Sequence, residues 1–173
     1  MMENILTLTF FIILAATFHK FRFSNFSYFL ITIFFTLHMI GAHYTYSEVP
    51  LGYYLKDTFH LNRNHFDRIV HFSFGFLVTY PLREILLRST NVRGFMSYFL
   101  PLNMAFAAGS FFELIEWSFV ALVNPELGAA YLGLQGDFWD AQKDVGLALI
   151  GSLLALLLIF LFAKNQQKNL QAR

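Results

Sequence analysis

The chain contains no cysteine, which excludes disulfides, thiolate nucleophiles and cysteine-ligated metal sites, and leaves redox chemistry silent about compartment. Charge is the second scarcity. Only 13% of the 173 residues are charged, against about 25% in a soluble domain, so lipid rather than water is the expected solvent. A formal net charge of +1 provides no basic field, and no nucleic-acid partner is expected. Internal repeats and low-complexity linkers are missing too. What the chain has in abundance is apolar surface. It is 57% hydrophobic, with 23 Phe and 8 Tyr, a richness that suits a face turned to lipid.

Five apolar runs organise the sequence: about Asn4 to Phe18, Phe26 to Tyr44, Phe66 to Leu87, Met96 to Val123 and Val145 to Phe162. A span needs about 20 residues at 1.5 Å each; the last four reach that length and the first is marginal. The first run begins with Glu3 and no Lys or Arg. No small-residue cleavage site follows Leu14-Ala-Ala-Thr-Phe18, so an uncleaved span is expected rather than a signal peptide.

Charge alternates between the connections. Lys20, Arg22, Arg83, Arg88, Arg93, Lys164, Lys168 and Arg173 fall on one side. The other side holds Lys56, Arg63, Arg68 and Lys143 beside eight acids. The positive-inside rule then predicts an outside N-terminus and a cytoplasmic C-terminus. The fold class expected is all-α: a polytopic membrane helix bundle of about five transmembrane helices. Residues 1–163 form a single transmembrane domain and 164–173 a polar cytoplasmic tail. The outer connections, Thr45 to His65 and Asn124 to Gly136, carry Pro and Gly and read as turns or short interfacial pieces.

The polar chemistry gathers at the outer level. Asp137, Asp140 and Asp144 stand at i, i+3 and i+7 just before the last run; on a helix they share a stripe of roughly 60°. Below them the stripe continues as Ala148, Gly151 and Ala155, small residues that mark close helix packing. Asp67 and His71 are one turn apart, as are Glu113 and Glu116. His38 and His43 diverge by roughly 140° on a regular helix. Both could face one site only if Gly41 breaks the helix; His43, nearer the common level, is expected to join the site, whereas His38 reads as a hydrogen-bonded core residue. Ionisable groups at such depth face the bundle interior or a wet cavity.

Four blocks carry a family resemblance: His38-Met-Ile-Gly-Ala-His-Tyr-Thr-Tyr46, His65-Phe-Asp-Arg-Ile-Val-His71, Glu113-Leu-Ile-Glu-Trp117 and Gln135-Gly-Asp-Phe-Trp-Asp-Ala-Gln-Lys-Asp144. In this order they resemble the YjdF family over nearly the whole chain. The resemblance implies a small bacterial inner-membrane protein and supplies no reaction. A remoter likeness is to the VanZ-like group, through Asp67, Arg68 and His71, then Asp144 and Gly151; Ala148 stands where that group has Asn.

Two classes of function follow. In the first, a membrane-embedded enzyme acts on a lipid or lipid-linked cell-envelope intermediate. His71, Asp67, Glu113, Glu116 and Asp144 are its candidate acid–base residues, with Arg68, Lys143 and Gln135 binding substrate. A divalent metal would take its ligands from His43, His71, Asp67, Glu116, Asp140 and Asp144. In the second, the polar cluster is a structural network, binds a lipid or amphiphile, or couples protons to transport. Transport is the weaker of these, since inverted repeats are absent. Because the chain lacks cysteine, single cysteines are clean topology probes. Cysteines placed at Asn91 and Ala129 are expected to label from opposite sides of the membrane, and same-side labelling would refute the five-span reading.

Overall fold

The computed structural model describes residues 2–123 and 135–171, with side chains described for 7–118, 122 and 135–163. Six helices account for most of them: α1 (Met2–Thr17), α2 (Asn25–His43), α3 (Pro50–Phe59), α4 (Phe66–Ser89), α5 (Met96–Val123) and α6 (Asp140–Gln171). No strand occurs among the described residues. The five apolar runs coincide with α1, α2, α4, α5 and α6. The ten-residue α3 occupies the connection expected to be a turn or interfacial piece.

Local chemistry sets several ends. Ser24 caps α2 by accepting the Ser27 N–H at 3.2 Å, filling one of the orphan donors of a first turn. Pro50 starts α3, where its missing N–H costs nothing, and His60 ends it in the left-handed region. Gly41 does not break α2, which is continuous to His43. Instead, Thr45 and Tyr46 take positive φ, and the Tyr46 N–H returns to the Gly41 carbonyl at 2.8 Å. That fold-back lays the Tyr46 ring on Gly41, where any Cβ would collide with it. Gly41 is thus a bare surface for an aromatic ring, and the helix break that would let His38 and His43 share one site does not occur.

By length and composition, α2, the Met96–Ser118 part of α5 and the Asp140–Ala163 part of α6 suit a membrane crossing. In α4 the charges crowd the ends: Asp67 and Arg68 at the start, Arg83, Glu84 and Arg88 near the finish. The outward surface is oily, with Leu153, Leu157 and Phe160 about half exposed along α6.

The tightest pairing joins α4 to α6. Gly75 faces the Ala148 backbone, and Gly151 faces the Phe72 carbonyl; a Cβ at either would meet backbone atoms that cannot swing aside. Ala148 and Ala155 are buried in the same seam, so the small-residue stripe does mark a helix contact. The Ser152 hydroxyl, fully buried, donates to the Ala148 carbonyl at 2.9 Å and lies 3.3 Å from that of Gly75. Helix α5 closes the third side through Ala105, fully buried, and Gly109. The outer connection Asn124 to Leu134 lies outside the described residues, as do the side chains of the tail.

The same substitution should act with opposite sign at two glycines. Gly75→Ala forces backbone apart and should cost about 1–3 kcal/mol, as overpacking does. Gly146→Ala meets open space and should stabilise α6 by about 0.5–1 kcal/mol through helix propensity. Thermal unfolding of the purified variants in detergent checks both; a harmless Gly75→Ala would refute the close seam.

Candidate functional site

The α4–α6 seam brings the beginnings of both helices to one end of the bundle, beside the end of α5. Two sets of acids meet there, and they have different partners.

The first set is clasped. Arg63, in the connection before α4, forks onto Asp140, with Nη1–Oδ1 at 2.5 Å and Nη2–Oδ2 at 3.1 Å. Both side chains are buried. Arg68 pairs with Asp137 and reaches Asp140 Oδ1 at 3.1 Å. Lys143 adds 2.9 and 2.7 Å contacts to the two Asp137 oxygens. Lys143 and Arg68 together hold the Asp137 carboxyl well below the usual carboxylate range. A group so depressed contributes stability above the ordinary carboxylate pKa and loses it only as pH falls through the lowered value; the clasp should thus persist through mild acid. Gln135 is committed as well: its Oε1 accepts the Asn64 N–H at 2.9 Å and its Nε2 donates to the Asn64 carbonyl at 3.0 Å. Asn64, almost fully buried, donates to the Ser47 and Val49 carbonyls. Burial, then the charges of Arg68 and Arg63, push the His65 imidazole down from its usual range, so it adds no cation to the clasp near pH 7.

The second set is not clasped. His71 Nε2 lies 3.6 Å from Asp67 Oδ1 and 3.1 Å from Glu113 Oε1. Asp144 enters from α6, 1% exposed, and Asp67, His71 and Asp144 each offer a ligand atom within 4.8 Å of the others'. Among the described residues, Asp144 Oδ1 is buried with no hydrogen-bond partner, and Glu113 Oε1, though close to His71, is not aligned for one. An unsatisfied buried oxygen costs about 1–3 kcal/mol, more when charged. Three carboxylates around one imidazole therefore call for a balancing proton or cation. Two carboxylates and one imidazole, with ligand atoms within 4.8 Å of one another, are a donor set that suits divalent zinc or manganese.

The sequence-derived candidates thus divide. Asp67, His71, Glu113 and Asp144 come together. Arg68, Lys143, Asp140 and Gln135 belong to the clasp, and Asp140 in particular has both oxygens on arginine. Glu116 is half-buried one turn beyond Glu113. His43 is exposed at the end of α2, against Tyr44, and is not among the residues gathered around His71. His38 points inward, buried, with Nδ1 2.6 Å from the Tyr46 hydroxyl. Arg63 and Asn64 escaped the sequence reading. The surplus of acids over basic residues on that side of the chain was the signal for a further cation such as Arg63; Asn64 left none.

Comparison with known proteins now places the chain. Residues 1–165 match a family described as "Predicted membrane protein (DUF2238)". The chain is also 35% identical to "Inner membrane protein YjdF" of Escherichia coli (strain K12) over 158 residues, 91% of this chain and 75% of that protein. The chain belongs to the DUF2238 family. It is accordingly an inner-membrane protein, as its apolar helices require. No solved structure matches it. The VanZ-like likeness rests on its sequence blocks alone.

Burial predicts which clasp residues carry stability. Arg63→Ala takes the donor from the buried Asp140 Oδ2 and leaves that carboxylate to Arg68 alone, and should cost about 1–3 kcal/mol. Lys143→Ala removes a half-exposed cation and should cost no more than about 1 kcal/mol. Denaturation of both variants in mixed micelles measures the difference; equal costs would show that the clasp does not depend on Arg63.

Proposed function

We propose that this protein is a five-span membrane protein that holds a divalent cation between Asp67, His71 and Asp144 on its outer side. We further propose that it uses that cation, with Glu113 as proton carrier, in an enzymatic reaction on a lipid or lipid-linked envelope amphiphile. The observation that carries the reading is Asp144, buried at the α4–α6 seam with an oxygen that has no hydrogen-bond partner among the described residues, within ligand distance of His71 and Asp67.

The topology rests on two supports. Helix α4, at 24 residues, is about 36 Å long, enough for a hydrocarbon core of about 30 Å. Its charges sit at the two ends, as they must in a span. The second support is the asymmetry of the loops, with Arg22, Arg83, Arg88 and Arg93 at the end opposite the site. At that end Arg88 bonds the Arg22 carbonyl and Glu84, and Glu84 takes the Ser24 and Ser27 hydroxyls, a polar anchor suited to an interface.

The chemistry follows from the donors. A cation held by Asp67, Asp144 and His71 would polarise a phosphoryl or carbonyl oxygen or activate water. In a hydrolysis, the water oxygen bonds the electrophilic centre and its proton passes to Glu113, 3.1 Å from His71. The bond to the leaving oxygen then breaks, and that oxygen takes the proton back. Structural pairing explains the clasp of Arg63, Arg68, Asp137 and Asp140. It does not explain Asp144, which has no cation of its own among the described residues.

Elemental analysis of the purified protein tests this directly. About one zinc or manganese per chain is expected, a single site's worth, falling to background in Asp144→Ala and His71→Ala but retained in Lys143→Ala. Complementation in cells, with protein abundance monitored, separates chemistry from folding. Loss of function at normal abundance in Asp144→Ala supports the reading; a metal-free wild type, or an Asp144→Ala protein that complements fully, overturns it.

A further inference from the structure

Beside the cation site lies a cavity of about 540 Å³, well within the usual range for small-molecule pockets. Phe10 and Ile13 of α1, Phe34 of α2, Phe74 of α4 and Phe112 of α5 form most of its wall. Its titratable and hydroxylated lining is concentrated in His71 and the His38–Tyr46 pair, with Thr7 and Thr9 on α1. His71 belongs to both sites. Its ring packs edge-on to Phe112 at 5.9 Å on the cavity side, while its Nε2 faces Asp67 and Glu113.

The cavity is also open sideways. Ile13 is 53% and Phe111 64% exposed at its rim, and among the described residues α1 packs chiefly against α2, so its side towards α5 is the more open one. In water such an opening would wet. Within a bilayer it faces hydrocarbon, and an apolar hollow open to lipid admits a lipid tail at little desolvation cost.

We infer that the cavity between α1, α2, α4 and α5 is a binding site for one long hydrocarbon chain of an anionic, phosphate-bearing membrane amphiphile, whose head then meets the Asp67–His71–Asp144 group. The inference deepens the reading above by naming the substrate class, and the identity of the head rests on that reading. A negative phosphate complements a cation held there; the chain fills the apolar hollow; His71 joins the two. An acyl chain of a phospholipid and an isoprenyl chain of a carrier lipid share this chemistry.

Photolabelling of the full-length protein in zwitterionic phosphatidylcholine vesicles tests it. One arm carries a trace of phosphatidylglycerol with a diazirine in its acyl chain, the other a trace of isoprenyl phosphate with a diazirine in its tail. Adducts mapped by mass spectrometry should favour Phe34, Phe74 and Phe112 over Leu153 and Leu157 on the lipid-facing surface of α6 by about tenfold, the preference of a pocket over bulk lipid contact. The arm that labels names the chain. Ala108→Trp fills the hollow from α5 and should remove the cavity adducts while sparing those at Leu157. Should that variant misfold, excess unlabelled amphiphile of the same arm should compete label from Phe112 and not from Leu157 in the wild type. Even labelling of cavity and surface in both arms, or cavity adducts that neither block nor competition reduces, overturns the inference. Asp144→Ala separates the two proposals, since it should abolish the cation and leave chain labelling in place. Metal without cavity labelling defeats this inference alone, and cavity labelling without metal defeats the cation alone.

Discussion

The close approach of α4 and α6 is the constraint on which the rest depends. Gly75 lets the Ala148 carbonyl in, and Gly151 lets the Phe72 carbonyl in. Lipid supplies no hydrophobic drive between helices, so such contact must come from small residues and buried hydroxyls, here Ala148, Ser152 and Ala155. The seam determines what happens a turn or two away. It sets Asp144 beside His71 and brings Asp140 under the forked arginine. A wider seam would separate the acids, admit lipid between them and leave each to find a separate partner.

The clasp and the open cluster show how one acidic stripe serves two purposes. Asp137 and Asp140 lie towards the helix start, where Arg63, Arg68 and Lys143 reach them. Breaking such a buried pair is costly even where its net worth is small, so the clasp holds the α4 and α6 beginnings in register. Asp144, one turn deeper than Asp140, is beyond the described ion pairs and retains an unsatisfied oxygen. A protein that needed only register could have stopped at the clasp. A buried acid in addition, set against an imidazole and two further carboxylates, is the arrangement expected of a site that binds or moves positive charge.

Much of the fold was legible because membrane helices announce themselves through long apolar runs, and all five runs became helices. The stripe below Asp144 was legible for a related reason: small residues at helical spacing have little use on a lipid-facing surface. The i, i+4 pair of Asp67 and His71 came from spacing alone. Partner choice was not legible. Nothing local distinguishes Asp140, taken by arginine, from Asp144, left open; that difference arises from where Arg63 emerges before α4. The histidines of α2 turned on Gly41, which reads equally as a helix break or as room for a ring. Tyr46, folding back through two positive-φ residues, decided it in favour of His38. The cavity was invisible too, because its wall joins three or four residues from each of four helices, and no single helix's pattern shows that they meet.

The central claim is that one imidazole, that of His71, and two carboxylates bind a divalent cation beside an apolar cavity. Electron–nuclear double resonance on the manganese-loaded protein measures this most directly. The account predicts coupling to a single histidine nitrogen, lost in His71→Gln and kept in His38→Gln and His43→Gln. Manganese that shows no nitrogen coupling, or a coupling that survives His71→Gln, would contradict it.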